Sequence, residues 1–169
     1  MPCRRLVRTV PVQAAVWGLL AGAALAVAPE VRDQGKFFSP EALKKADEQI
    51  REIYRKHGQD VLVETFNTVP GEDVEKLKAM DNRGRREFFL KYAKERAKER
   101  VVNGVYVLIT REPRHLLVGV TGRGEKVFSR EFRDKAEEGM IAEFAKGRFD
   151  DGLQALVRLA EQQLTKSGK

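Results

Sequence analysis

Two apolar runs separated by a short turn occupy residues 103–120, NGVYVLITREPRHLLVGV. The first run, Val105–Ile109, is rich in β-branched and aromatic side chains, which favour extended backbone. Arg111–Arg114 contains Pro113 and is typical of a tight turn, and His115–Val120 then returns with a second apolar run. The stretch predicts a β-hairpin.

The segment upstream of the hairpin predicts a third strand and the helices that connect it. Val61–Phe66 is short, apolar and β-branched, as expected of a buried strand. The segment Glu72–Met80, which is rich in charged residues, predicts a short helix, and the segment Arg85–Arg100 predicts a longer one. Because a helical crossover returns the chain to the same end of a sheet, the strands on either side of it are expected to be parallel.

Helices are also predicted towards both ends of the chain. Ser39-Pro40 is typical of a helix start, and apolar residues at spacings of three and four continue to Gly58. Further apolar faces cover Phe132–Phe144 and a last helix that begins at Asp150 or Asp151. The order α-β-α-β-β-α-α predicts an α/β fold, a small mixed β-sheet sandwiched between helices.

The first 28 residues differ from the rest of the chain. Three arginines precede an uncharged apolar run, Val10–Ala28, that ends in small residues. This pattern is typical of a bacterial secretory signal peptide, so residues 1–28 are expected to be removed and the protein to be periplasmic or secreted. The alternative is an N-terminal membrane anchor, since about 20 apolar residues cross a bilayer. Residues 29–38 are interpreted as a linker and residues 39–166 as one α/β domain.

Composition excludes several classes of function. The chain has 169 residues, of which 42% are hydrophobic, which suits one domain with a core. One Cys and two His exclude an internal disulfide and a multi-cysteine or His-rich metal site. The net charge of +7 does not indicate nucleic-acid binding, because glutamates interleave the basic segment 83–100 at the i,i+4 spacing of a solvated helix face. The sequence has no P-loop, G-x-S-x-G or H-E-x-x-H motif.

Several motifs follow one another in a recognisable order. Asp33 precedes the opening helix. Asn103–Ile109 is an Asn-Gly pair followed by an apolar strand, and Gly122–Gly124 is a Gly-x-Gly motif. Met140–Leu153 then contains the residues of a closing helix-turn-helix. This ordered set resembles the TPM domain, a family of exported or lumen-facing α/β domains, over residues 31–166.

The resemblance implies a central sheet sandwiched between helices, which agrees with the pattern of elements. It also implies two kinds of site, because some plant members resemble acid phosphatases and some bacterial members bind calcium. Many members have an Asp just before the Asn-Gly pair, whereas this sequence has Val102. That departure weakens both expectations, since each depends on acidic loop residues.

Asp33 and Arg114 lie in loops that are expected to meet near one edge of the sheet. Asp33 is the candidate catalytic acid and metal ligand, and Arg114 is the candidate group that holds an anionic oxygen. Asp150 and Asp151 are further candidate calcium ligands, because hard cations prefer several oxygens. The alternative for each is structural: Asp33 caps local backbone, Arg114 pairs with Glu112, and one of the two later aspartates caps the last helix.

These observations predict an exported TPM-like domain that acts as a non-catalytic binding or accessory module in the cell envelope. One alternative is a weak, metal-assisted acid phosphatase that uses Asp33. Another is a membrane-anchored interaction domain, which follows if the apolar run is retained. Calcium is the one cofactor suggested, and the expected partner is an envelope protein or a membrane complex.

Overall fold

The structure is a computed structural model that describes residues 30–167. The predicted signal segment, residues 1–28, lies outside the described residues. Within them the elements are β1 (Val31–Asp33), α1 (Pro40–His57), β2 (Asp60–Thr68), α2 (Val74–Ala79), α3 (Asn82–Glu99), β3 (Gly104–Glu112), β4 (His115–Val120), a 3-10 helix (Gly122–Lys126), α4 (Arg130–Phe144) and α5 (Phe149–Ser167). None of these helices is long and apolar enough to cross a membrane.

The strands form one mixed sheet in the order β1-β2-β3-β4. β2 and β3 are parallel, with Val61 opposite Val105. β3 and β4 are antiparallel, with Val107 opposite Val118. The predicted hairpin and the predicted parallel pair are both confirmed. The parallel pairing follows from the crossover through α2 and α3, which carries the chain back to the starting end of the sheet.

The first strand, β1, is the main difference from the predicted element order. Val31–Asp33 lies inside the segment interpreted as a linker, yet it pairs in parallel with Val63–Thr65 of β2. Three residues are too few to show an alternating apolar pattern, so the sequence carried no signal for this strand. The strand forms one edge of the sheet and brings Asp33 beside Thr65.

Helices cover both faces of the sheet, as the sequence predicts. α1, α4 and α5 cover one face, here called the α5 face, and bury side chains such as Val63 and Val107. α2 and α3 cover the other, the α3 face, and bury Leu62 and Leu108. Because β2 and β3 are buried on both faces, their sequences are nearly continuous apolar runs rather than alternating ones.

Side-chain caps set the starts of the helices. Ser39 Oγ accepts a hydrogen bond from the N–H of Ala42 at 3.2 Å, which confirms the predicted start of α1. Asp81 accepts one from the N–H of Gly84 at 2.6 Å. This cap begins α3 at Asn82, three residues before the start that the apolar pattern predicts, because a first turn exposed to solvent shows no apolar periodicity.

The Asn-Gly and Gly-x-Gly motifs pack against each other. The Gly-x-Gly, Gly122–Gly124, forms the start of a turn of 3-10 helix. Asn103 Oδ1 accepts a hydrogen bond from the N–H of Arg123 at 2.6 Å. A Cβ atom on Gly124 would lie 2.7 Å from the Cα of Gly104, so the two backbones meet where a side chain has no room.

Replacing Gly124 by alanine is expected to lower the free energy of unfolding by about 2 kcal/mol, because the added methyl group would overlap backbone that belongs to β3. Urea unfolding at neutral pH measures the loss. Gly139→Ala is the matched control, since a Cβ there meets no atom within 4 Å and alanine favours a helix. A Gly124→Ala protein as stable as its parent would contradict the close approach.

Candidate functional site

An open groove lies beside the carboxyl end of β3. It has a volume of about 790 Å³ and is bounded by the hairpin turn, by Phe37 and by the junction of α4 with α5. α4 ends at Phe144, and its last turn lines the groove. The carboxyl ends of strands are where open α/β sheets bind ligands, so the groove lies at the edge where the sequence places the candidate site.

The floor of the groove is aromatic and aliphatic. Phe37 stacks on Phe144 with the ring centroids 6.3 Å apart. Phe149 packs against both rings, with its centroid 5.7 Å from that of Phe37 and 4.8 Å from that of Phe144. Ile141, on the last turns of α4, also lines the groove and is 52% exposed. A partly exposed apolar surface of this kind, beside polar groups, is typical of a site that binds another molecule.

Arg111 is held at one side of this floor. Its guanidinium carbon lies 4.3 Å from the centre of the Phe37 ring, in a cation-π contact. The same guanidinium donates hydrogen bonds to the carbonyl of Gly35 at 2.9 Å and to Asn67 Oδ1 at 3.3 Å. These contacts fix the positive charge beside the aromatic floor.

Arg114 adds a second positive charge at the turn of the hairpin. It is exposed and lines the groove, and no ion pair joins it to another residue in the part of the chain that the structure describes. Glu112 forms an ion pair with Lys78 of α2 at 3.0 Å. The alternative in which Arg114 pairs with Glu112 is therefore not what the structure shows. The groove therefore combines an apolar floor with a positively charged end.

Asp33 holds the loop that forms one wall of the groove. Its carboxylate accepts hydrogen bonds from the N–H groups of Phe37 and Phe38, each at 2.9 Å, and from the hydroxyl of Thr65. The Thr65 hydroxyl oxygen also accepts one from the N–H of Gly35 at 2.9 Å. Asp33 thus positions Phe37, and its catalytic role stays a prediction.

Asp150 lies beside the same loop, whereas Asp151 does not bind it. Asp150 Oδ1 accepts a hydrogen bond from the N–H of Ser39 at 2.9 Å. Asp33 and Asp150 together satisfy the backbone donors of the three consecutive residues 37–39. Asp151 is exposed, with a carboxylate oxygen 3.7 Å from Arg148 Nε. Two of the three predicted metal ligands are therefore brought to one loop, where they bind backbone.

This arrangement offers few free oxygens to a calcium ion, which takes about six to eight. Both oxygens of Asp33 and the Oδ1 atom of Asp150 already accept hydrogen bonds. Within residues 30–167, no three acidic, His or Cys side chains are grouped so that they could hold a metal ion. Calcium binding stays a prediction, and thermal melting with millimolar calcium checks it, since a bound ion raises the melting temperature.

Replacing Asp33 by asparagine is expected to lower the free energy of unfolding by about 2 kcal/mol, because the amide NH₂ would face a buried or partly buried donor. Thermal and urea unfolding measure the loss. Asp151→Asn, at an exposed position of the same charge, is the control and should change stability by less than about 0.5 kcal/mol. Equal stability of both variants would contradict the positioning role of Asp33.

Sequence reasoning missed the groove itself. It assigned Phe144 to a buried helix face and did not mention Ile141 as a functional residue. One signal was present: Ile141 follows Met140 directly, so it lies off the face formed by Phe132, Ala136 and Met140. This signal is not specific, because single apolar residues are common on protein surfaces, as Leu90 on α3 shows.

Comparison with known proteins agrees with this fold. The sequence model of the TPM domain matches residues 31–163. No curated protein matches the chain. The N-terminal domain of a protein from P. gingivalis has a similar structure, with a TM-score of 0.60 and 18% identity over 81% of this chain and 82% of that one. The BA42 protein of the psychrophilic bacterium Bizionia argentinensis matches with a TM-score of 0.53 and 20% identity over 78% and 83% of the two chains.

Similarity at these identities shows a shared fold. The TPM match adds the sequence evidence, since it begins at β1 and extends into α5. It therefore contains the residues that line the groove, the Asn-Gly strand and the Gly-x-Gly turn. The chain belongs to the TPM domain family.

Proposed function

We propose that this TPM domain is a non-catalytic binding module of the cell envelope and that it takes its partner into the groove. The observation that carries the proposal is the open aromatic floor with Ile141 exposed beside it and two arginines at its end. Contact between apolar side chains and water costs free energy, and a bound partner would remove this surface from water. The partner is an envelope protein or a membrane complex.

The envelope location is supported by the first 28 residues. Their basic start, apolar run and small residues at Ala26 and Ala28 form the pattern of a secretory signal. The mass of the purified protein tests it, because removal of the signal leaves an N-terminus close to residue 29. A mass that includes Met1 would contradict export by cleavage and favour the membrane-anchored alternative.

Binding without hydrolysis is the function that the groove supports better. A metal-assisted phosphatase would need Asp33 to bind a metal or to activate water, which requires an unoccupied carboxylate oxygen. Hydrogen bonds from Phe37, Phe38 and Thr65 reach both oxygens of Asp33. The groove, in contrast, is open.

Site-specific cross-linking tests the proposal. A photo-reactive amino acid placed at Ile141 of the full chain, in the cells that produce it, is expected to form one discrete adduct with an envelope component. Leu90 is the matched control position, because it is a similarly exposed apolar side chain, at 48%, on α3. Adducts from both positions, or from neither, would overturn the groove as the contact surface.

A further inference from the structure

We propose that the groove binds the C-terminal end of an extended peptide, which adds a strand to the free edge of β4 and places its terminal carboxylate at Arg114. The inference rests on the proposed function and names the chemistry of the partner: a polypeptide that ends in an apolar residue. Three features of the groove carry it.

The first feature is the free edge of β4, the last strand of the sheet. In an antiparallel pair, alternate residues direct their N–H and C=O groups away from the neighbouring strand. Val118 is one of these, because its N–H donates to the carboxylate of Glu137 at 2.8 Å. Thr121, by contrast, faces β3, since its N–H donates to the Gly104 carbonyl at 2.9 Å. By this alternation Leu116 also faces outward.

Leu116 is therefore the point where another strand can pair. Towards the far end of β4, Glu137 already satisfies the outward N–H of Val118 and blocks the edge. No such group reaches Leu116 among the described residues, and Leu116 lines the groove. An incoming peptide can therefore pair through its last residue, which exchanges backbone hydrogen bonds with Leu116, while the residues before it leave the edge at Val118, where Glu137 is bound.

The second feature is the direction that this pairing imposes. A segment antiparallel to β4 runs in the direction from Val118 to His115, so its C-terminus points at the turn of the hairpin. If its last residue lies opposite Leu116, the carboxylate comes next to His115 and Arg114, at a strand rise of about 3.3 Å per residue. Arg114 is exposed, and no acid among the described residues forms an ion pair with it.

The third feature is the position of the apolar floor. Leu116 packs against the core of the α5 face, the same side of the sheet as Phe37, Phe144 and Phe149. Directly opposed residues of paired strands point to the same face. The side chain of the last peptide residue therefore enters the aromatic floor beside Ile141, which explains why this residue is expected to be apolar.

The charges of the groove complement such a ligand. Two arginines line it, and the carboxylate of Glu112 is held by Lys78 on the other side of the hairpin. A carboxylate accepts charge-assisted hydrogen bonds from a guanidinium, and these are stronger than neutral ones. A peptide whose terminus is amidated keeps the strand pairing and the apolar contact but loses this interaction.

The test uses the full chain and the peptide acetyl-Gly-Ser-Ser-Thr-Val-Leu, as the free acid and as the C-terminal amide. The free acid is expected to bind and to slow hydrogen exchange at the N–H of Leu116. Leu117 is the internal control, because its N–H faces β3 and is already protected. Arg114→Gln is expected to weaken binding roughly tenfold, as is amidation, whereas Arg123→Gln, the same charge change beyond the far end of β4, should have no effect.

Three results would overturn the inference. Equal binding of the acid and the amide would remove the carboxylate contact, and unchanged exchange at Leu116 would remove the added strand. Binding of decanoate in place of the peptide would identify an acyl anion as the ligand. If one of these results is found while Ile141 still forms its cross-link, only the peptide inference fails and the proposed function stands. If the cross-link at Ile141 is also absent, the proposed function fails as well.

Discussion

Replacing Glu64 by glutamine is expected to lower the free energy of unfolding by about 3 kcal/mol. Glu64 lies in β2 on the α3 face and is 0% exposed. Arg96 donates to its carboxylate from Nη2 at 2.7 Å and from Nε at 3.1 Å. Arg100 Nε lies 3.3 Å from the same group. Without the negative charge of Glu64, two partly buried arginines have no opposite charge beside the sheet. Breaking a buried ion pair in this way typically costs about 3–5 kcal/mol of stability.

The lower end of that range applies because both arginines keep contact with water, with side chains 20% and 29% exposed. Tyr106 completes the network by donating its hydroxyl hydrogen to Glu64 at 2.8 Å. Burial, together with the charge of Glu64, raises the pKa of Tyr106 above its ordinary value, so the hydroxyl remains a donor. The network therefore ties α3 to the two central strands.

Urea unfolding of the Glu64→Gln protein measures the loss. Glu99→Gln is the matched control, since Glu99 pairs with the same Arg96 at 3.0 Å but is 63% exposed. That control should lose less than about 1 kcal/mol. If both variants lost the same small amount, the buried pair would contribute no more than a surface pair.

Acidification from pH 6.5 to 4 is expected to remove about 2 kcal/mol of stability through His115. Burial, helped by the charges of Arg85 and Arg86, lowers the pKa of His115 to about 4. The ring stacks on Phe89 with the centroids 3.9 Å apart, and its Nε2 atom is buried without a hydrogen-bond partner among the described residues. In the unfolded chain a histidine has a pKa near 6.5.

The direction follows from which state binds the proton. Between pH 6.5 and 4 the unfolded chain protonates at His115 and the folded protein does not. The stabilisation is complete above pH 6.5 and is lost as the pH falls towards 4. The expected loss of about 2 kcal/mol is smaller than the energy that corresponds to the whole pKa shift, because the ring is partly exposed and solvent screens its charge.

His115→Phe tests the assignment, because it keeps a ring stacked on Phe89 and removes the titrating group. Unfolding free energies of both proteins are measured in urea from pH 7 to pH 4. The difference between the two curves should change by about 2 kcal/mol across this range. Parallel curves would assign the acid sensitivity to the carboxylates instead.

The sequence predicted most of the fold, because the signals for it are local. The hairpin follows from two apolar runs around Arg111–Arg114, and the parallel pair follows from a crossover that contains helices. Boundaries were less accurate, as at Asn82, where a polar cap rather than an apolar residue begins α3. β1 was missed because three residues carry no period.

The candidate site was predicted only in part. Asp33 and Asp150 were chosen as candidates separately, and their binding to one loop depends on backbone amides that the sequence does not locate. The sequence did not indicate that the charge of Glu64 is buried, since a single glutamate in an apolar run can also occupy an exposed position. Its partner Arg96 is 32 residues away along the chain.

The sequence by itself determined most of the helices and strands, the pairing directions of β2, β3 and β4, and the family, because periodicity, turns and ordered motifs are properties of neighbouring residues. Only the tertiary structure decided the groove, the aspartates' contacts with backbone and the burial of Glu64. Each of these depends on the distance between atoms that folding brings together from remote parts of the chain, and no local pattern encodes that distance.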